Sequence, residues 1–216
     1  MTDLTIRPYQ RFDQPALLHI ASETAFFGDP VEAFLDDRRL FEDAMFRYYV
    51  ENEPQHAWVA SDGRRVVGFL AGCVDSRART HVFSRHILPG LLWKAVRGHY
   101  RLGLLTLRYS TNAFLGSLRG EFAHVDFDQY PAHLHINLLP EARGKGAGRR
   151  LIQAYLDQLR GLSIPGVHLF TTSLNQAAVH LYQRCGFKLI DSRPTRLWNR
   201  YYSQPVENQC YGQNLG

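Results

Sequence analysis

Cysteine is scarce in this chain of 216 residues, which holds three: Cys73, Cys185 and Cys210. They are odd in number, widely spaced and form no Cys-x-x-Cys pair. That excludes a disulfide framework and a zinc knuckle, and it fits a reducing, cytoplasmic setting. Long apolar runs are also missing. No stretch approaches the roughly 18 residues that cross a bilayer, so a membrane is not an expected partner. The opening Met1-Thr2-Asp3-Leu4-Thr5-Ile6-Arg7 has no basic segment followed by an apolar one, and no signal peptide is read there. No internal repeat or low-complexity tract occurs. Histidine is present, but His81 and His86 miss the i,i+4 register and have no carboxylate cluster beside them, so no metal is expected.

What the chain does have is an ordinary globular composition. Hydrophobic residues make up 45% and charged residues 21%, enough for one domain with a substantial core. The formal net charge of +5 favours an acidic partner. Nucleic acid, an anionic membrane and a phosphorylated cofactor all fit, and charge alone does not choose among them.

Along the chain, 4–8 alternates as a short strand. Residues 13–27 carry Ala16, Leu17, Ile20, Ala21 and Thr24 at helical spacing, with Asp13 as the expected cap. Gly28-Asp29-Pro30 ends that helix, and Pro30 is expected to open a second one through Val50. Residues 55–61 and 65–74 read as strands joined at Asp62-Gly63, a hairpin signal. From 76 to 122 cations stand among Leu, Trp, Phe and Tyr, which suggests two or three short helices inserted between strands. A strand at 133–138, a helix at 146–161, a strand at 167–172 and a helix at 176–185 follow. Strands at 187–191 and 197–202 are expected to close the sheet, leaving 205–216 as a loose polar tail. The order predicts a mixed α/β domain over 1–204, centred on a strand–helix–strand crossover.

The strongest chemical signal runs from Ile136 to Leu151. A strand ends at Pro140, a loop with Gly144, Gly146 and Gly148 follows at once, and an amphipathic helix continues through Leu151, Ile152, Tyr155, Leu156 and Leu159. A diphosphate needs converging donors. The first amides of a helix lack intrahelical partners and sit at the positive end of its dipole. Glycine lets the backbone approach and adopt positive φ, while Arg143, Lys145, Arg149 and Arg150 add charge. No Walker loop is present, since Gly-Lys-Ser/Thr does not occur. The spacing is G-x-G-x-G rather than the dinucleotide G-x-G-x-x-G. A glycine-rich turn that merely joins two elements is the alternative reading.

A second block, Asn175-Gln176-Ala177-Ala178-Val179-His180-Leu181-Tyr182-Gln183-Arg184-Cys185-Gly186-Phe187, follows the next strand. Together the two blocks resemble the GNAT superfamily of N-acetyltransferases. Arg143, Gly146 and Gly148 match its cofactor loop. Asn175, Ala178, Leu181, Tyr182, Gly186 and Phe187 match its later signature. The likeness is specific over 132–190, loose over 1–75 and silent over 76–122. Within the superfamily, Tyr130-Pro131-Ala132-His133-Leu134-His135-Ile136 is similar to bacterial and fungal members related to the acetyltransferase-like domain of O-GlcNAcases.

That resemblance implies a GNAT fold, with a mostly antiparallel central sheet, helices on both faces and the helical insertion between strands 3 and 4. It also implies acetyl-CoA as co-substrate and an amine acceptor attacked directly in a ternary complex. Cofactor contacts would come from the backbone at Ile136 and Leu138 and from Arg143, Gly144, Lys145, Gly146, Ala147, Gly148 and Arg149. Asn175 would bond the pantetheine or cap the helix after it. Tyr182 would give a proton to the departing thiolate, or serve only as packing. For the base, His133 and His135 titrate near neutrality and share a strand face with Asn137 unless a bulge intervenes. Asp126 and Asp128 lie just upstream, and Glu23 and Asp29 are weaker candidates. A catalytically silent acetyl-CoA-binding module is the competing reading, and a homodimer fits the family.

The insertion mixes Arg77, Arg79, Arg85, Arg97 and Arg101 with Trp93, Tyr100 and Phe114. Such a mixture serves nucleic-acid binding, the least favoured reading here, and equally a membrane-surface helix or another partner surface. The favoured expectation is an amphipathic lid over the acceptor pocket, aromatic side inward.

Overall fold

The Asp62-Gly63 pair closes a hairpin for the reason its residues give. The Asp62 carboxylate accepts from the amides of Arg64 and Arg65 at 2.9 Å each, and Gly63 takes a φ of +87°. The computed structural model describes residues 4–216; Met1, Thr2 and Asp3, part of the terminal segment read above, lie outside them. The flanking strands belong to a seven-stranded sheet. In chain order its members are β1 (Thr5–Pro8), β2 (Ala57–Ser61), β3 (Val66–Cys73), β4 (Ala132–Leu138), β5 (Gly166–Thr172), β6 (Lys188–Thr195) and β7 (Val206–Asn214). Their order across the sheet is β1-β2-β3-β4-β5-β7-β6. Every neighbouring pair is antiparallel except β4 and β5.

Helices cover both faces. On one lie α1 (Gln14–Glu23) and a bent run made of α2 (Arg38–Phe41), a π-turn (Glu42–Phe46) and α3 (Arg47–Asn52). Leu17, Ile20, Phe46, Tyr49, Val59 and Phe69 form their shared core. The insertion holds α4 (Ser76–Val82), a second π-turn (Phe83–Ile87), α5 (Leu88–Val96) and α6 (Leu104–Leu118). On the opposite face, α7 (Ala147–Gly161) is the crossover between β4 and β5, followed by α8 (Gln176–Arg184). The expected stripe Leu151, Ile152, Tyr155, Leu156 and Leu159 is fully buried there.

One contact fixes the middle of the sheet. Tyr155 reaches across Gly72, where a Cβ would sit 2.3 Å from the ring, and its hydroxyl donates to the carbonyls of Cys73 at 3.0 Å and His133 at 3.2 Å. Only glycine admits that approach.

Four expectations change. The tail is not loose, because Val206–Asn214 is β7, seated between β5 and β6 with Cys210 and Tyr211 buried. Its Glu, Asn and Gln residues hid it, yet pairing on both edges satisfies its backbone whatever the side chains are. Residues 197–202 form a turn rather than a strand, since Trp198 and Tyr202 fold inward against Phe27 at 5.2 and 5.6 Å. Pro30 starts only the single 3-10 turn Val31–Ala33, and the next helix begins after Asp37, whose carboxylate accepts from the Arg39 amide. Asp13 precedes α1 but does not cap it; Arg7 holds its carboxylate with two 2.7 Å bonds.

Because β7 is the partner of both β5 and β6, a chain ending at Pro205 should lose cooperative thermal unfolding, read by circular dichroism. An unchanged melting transition would contradict this placement.

Candidate active site

The β4 and β5 strands pair at Ala132 with Val167 and at His133 with His168, and nowhere beyond. The register of β3 on β4 runs without a shift from Gly68 opposite Leu138 to Cys73 opposite His133. Side-chain parity therefore holds, and no bulge separates His133, His135 and Asn137. The Leu139 amide donates to the Val67 carbonyl, which sets the alternation of the ladder. The backbone groups of Asn137, His135 and His133 thus face β3, and those of Leu134, Ile136 and Leu138 face the opening.

At the wide end of the opening lies the glycine turn. Gly144 and Gly146 have φ of +71° and +78°, with open space where a Cβ would be. Gly148 packs so closely that a Cβ would meet Leu181 Cδ2 at 2.8 Å. Ala147 is buried and begins α7, while Lys145 and Arg149 are exposed. None of the amides from Gly144 to Arg149 donates to a partner among the described residues. Free amides, a helix start and positive φ fit a diphosphate. Arg143 Nε donates to the Leu138 carbonyl at 3.1 Å, on the free edge, and its guanidinium presses on Gly28 of the α1 loop. Arg150 is spent elsewhere, on the Leu4 carbonyl of β1's approach, and leaves the charge set.

The other face of β4 carries a continuous hydrogen-bonded line. Ser76 Oγ lies 2.6 Å from the Pro131 carbonyl and 2.7 Å from His133 Nδ1. A carbonyl only accepts, so the single serine proton goes to Pro131 and His133 Nδ1 must donate to Ser76. His133 Nε2 then accepts from the Tyr49 hydroxyl at 2.6 Å. With that proton committed, Tyr49 accepts from His135 Nε2 at 3.0 Å. His135 Nδ1 is left with a free lone pair and no partner among the described residues. Asn137 continues the face by donating to Thr24 Oγ1 at 2.7 Å.

Both imidazoles are held neutral. Burial, and next the Arg79 cation, push His135 down from 6.5 to about 3; burial, then the neighbouring imidazoles, put His133 well below 6.5. His168 falls to about 4 through burial. Arg79 stands over the Tyr49 ring at 5.7 Å and has no salt bridge among the described residues. Sequence reading missed Tyr49, Ser76 and Arg79. They come from α3 and α4, far from the motif, and no local spacing announces them.

The carboxylate candidates do not join this line. Asp128 is exposed and bound by Arg77 at 2.7 Å in a turn before β4, where Arg77 also lowers its pKa. It is withdrawn as a base, and exposed Asp126, which accepts from the Asp128 amide, goes with it. Glu23 is tied to Arg38 at 3.0 Å, and Asp29 is exposed. Asn175 caps α8, accepting from the Ala178 amide at 3.3 Å, the second of its two expected roles. Tyr182 packs between Phe187 and Tyr211, with ring centroids 6.2 and 6.3 Å away. Its hydroxyl has no partner among the described residues, and burial raises its pKa. No group of three or more His, Cys, Asp or Glu among the described residues could hold a metal ion.

A mixed sheet that parts beside an amide-lined glycine turn is the acetyltransferase architecture. The model of the Acetyltransferase (GNAT) family matches residues 16–187, and the chain belongs to that family. The solved structure of SsHAT is 28% identical, with a TM-score of 0.73 and 99% of each chain covered. YncA from Salmonella typhimurium, solved with acetyl-CoA, shares the fold at 14% identity and a TM-score of 0.58, covering 99% of this chain and 94% of that one. Mycothiol acetyltransferase from Propionibacterium freudenreichii is 34% identical over 42% of this chain and 29% of its own length. Spermidine N(1)-acetyltransferase from Vibrio cholerae is 35% identical over 31% and 39%. The chain thus matches well under half the length of these curated relatives.

Two outcomes follow from the geometry. Gly146→Val, forced to a positive φ, should weaken acetyl-CoA binding about tenfold in calorimetry while the fold persists; an unchanged Kd would contradict the turn's role. The depressed histidines bind protons more readily in the unfolded chain. Stability should therefore be complete above about pH 6.5 and decline as pH falls towards the folded values. Denaturant titration between pH 6.5 and 5, above the usual carboxylate range, reads this, and His135→Gln should flatten part of the slope.

Proposed function

We propose that the chain transfers an acetyl group from acetyl-CoA to an amine, by direct attack within a ternary complex. The observation that carries this reading is the parting of β4 from β5 immediately before the free amides of residues 144–149. The backbone of Ile136 and the Leu138 amide offer a strand edge to a pantetheine arm, the Leu138 carbonyl being held by Arg143. The turn amides, with Arg143, Lys145 and Arg149, suit its diphosphate. Bound there, acetyl-CoA supplies a thioester-activated acetyl group.

The remaining tasks fall to side chains of this chain. His135 Nδ1 accepts the proton of the amine, because it is the one ring nitrogen of the line without a partner among the described residues. Tyr49, His133 and Ser76 fix its tautomer and orientation. Tyr182, kept protonated by burial, is the donor to the leaving sulfur. The partial likeness to spermidine N(1)-acetyltransferase supports an amine acceptor. The kinship with acetyltransferase-like domains of O-GlcNAcases, carried by residues 130–136, belongs to this same proposal.

Thiol release from acetyl-CoA across a panel of amines is the test. His135→Gln should lower kcat by about 10²-fold or more, and Tyr182→Phe should slow turnover, each with acetyl-CoA affinity preserved. Saturable binding with no thiol release on any amine would mark a silent binding module and end the proposal.

A further inference from the structure

The insertion carries most of the large apolar side chains that stay in water among the described residues. Among the described residues, ten of the sixteen large apolar side chains that remain exposed lie between positions 88 and 122. On α5 these are Leu88, Leu92, Trp93 and Val96, the last 83% exposed. On α6 they are Leu104, Leu107, Phe114 and Leu118, spaced by three, seven and four residues along one stripe. The inner side of α6 is attached to the body: Thr106 accepts from the Asp36 amide and donates its own amide to the Asp36 carboxylate, and Tyr109 packs on Phe34 at 4.8 Å. The outer stripe has nothing over it. The expectation of a lid with its aromatic side inward therefore holds only for Tyr109 and Tyr100, which are turned to the body.

Charge tells what covers this face. Between 76 and 122 the only carboxylate is Glu121, which is buried and accepts from the Arg196 amide. Lys94 and Arg77 are paired with Asp43 and Asp128 outside the insertion. Arg85, Arg97, Arg101 and Arg108 are exposed and make no salt bridge among the described residues. Each stands next to, or one helical turn from, an exposed apolar side chain: Leu88, Trp93, Leu102 and Leu104 in turn. Arg97 lies over the Trp93 ring at 4.3 Å. Single-stranded nucleic acid is gripped by stacked aromatics and cations, and a stripe that is chiefly leucine, with few aromatics, offers it little. A second copy docked about a two-fold axis would set these unpaired arginines against their own equivalents. A lipid surface receives both kinds of side chain, acyl boundary for the leucines and tryptophan, headgroup charge for the arginines.

We propose that α5 and α6 dock on an anionic lipid surface, lying in its interface without crossing it. No helix among the described residues is long and apolar enough to cross a membrane. The site stands apart from the transfer chemistry and does not depend on it.

The test is co-sedimentation of the full chain with vesicles of phosphatidylglycerol mixed with phosphatidylcholine, and with phosphatidylcholine alone. Binding to the first, much weaker binding to the second, and loss with added salt are expected. Arg97→Gln with Arg101→Gln should reduce that binding roughly 30-fold, from the charge lost at the surface. Leu92→Ser with Trp93→Ser should also reduce it, and neither pair should change acetyl-CoA affinity, which controls for folding. No binding to either vesicle, or equal binding to both, overturns the proposal. So does a concentration-dependent dimer that withdraws Trp93 fluorescence from quencher, or retention on single-stranded nucleic acid that the serine pair leaves intact.

Discussion

Everything at the centre of this molecule depends on a row of backbone groups left without partners. Strand backbone is expensive to bury unpaired, so a sheet that stops pairing in its middle must either admit water or wait for something that completes it. Here β4 and β5 meet at two registers and then diverge, although both strands continue. The crossover helix α7 begins beside this divergence. Its first turn is built on Gly146 at positive φ, and Gly148 packs against Leu181 and against Leu138 at the end of β4, which sets the free amides of the helix start next to that strand. Strand edge and helix start together form one donor and acceptor surface, matched to an extended molecule with a diphosphate at one end.

The opposite face of β4 solves a different problem. Polar side chains sit among Phe46, Tyr49 and Phe69, in a region where an unpaired polar atom would be costly. The solution is a line in which each donor has one acceptor, from His135 through Tyr49 and His133 to Ser76 and the Pro131 carbonyl. Counting its protons assigns every tautomer and leaves one ring nitrogen unbonded, His135 Nδ1. Tyr155 anchors the same stretch from behind, through the carbonyls of Cys73 and His133. That ring nitrogen is therefore held by the sheet itself, not by a loop.

Much of this was legible in the residues alone. Gly144, Gly146 and Gly148 ahead of an apolar helix stripe have few other physical uses, and the alternation of His133, His135 and Asn137 survived because β4 carries no bulge. What stayed hidden was of two kinds. Strand β7 is polar in sequence because its neighbours, not its side chains, hold it. Tyr49 and Ser76 are unremarkable helical residues until the fold brings them to the histidines across more than fifty positions of chain. Asp128 misled for the converse reason: near in sequence to the histidines, it is drawn away by Arg77.

The most direct measurement is amide hydrogen exchange of the full chain with and without acetyl-CoA. Protection should appear at Ile136 and Leu138 and across residues 144–149, the groups that lack partners in the free protein. Exchange that is unaltered by acetyl-CoA, or protection confined to surfaces away from that gap, would contradict the claim that this open edge is where the cofactor lies.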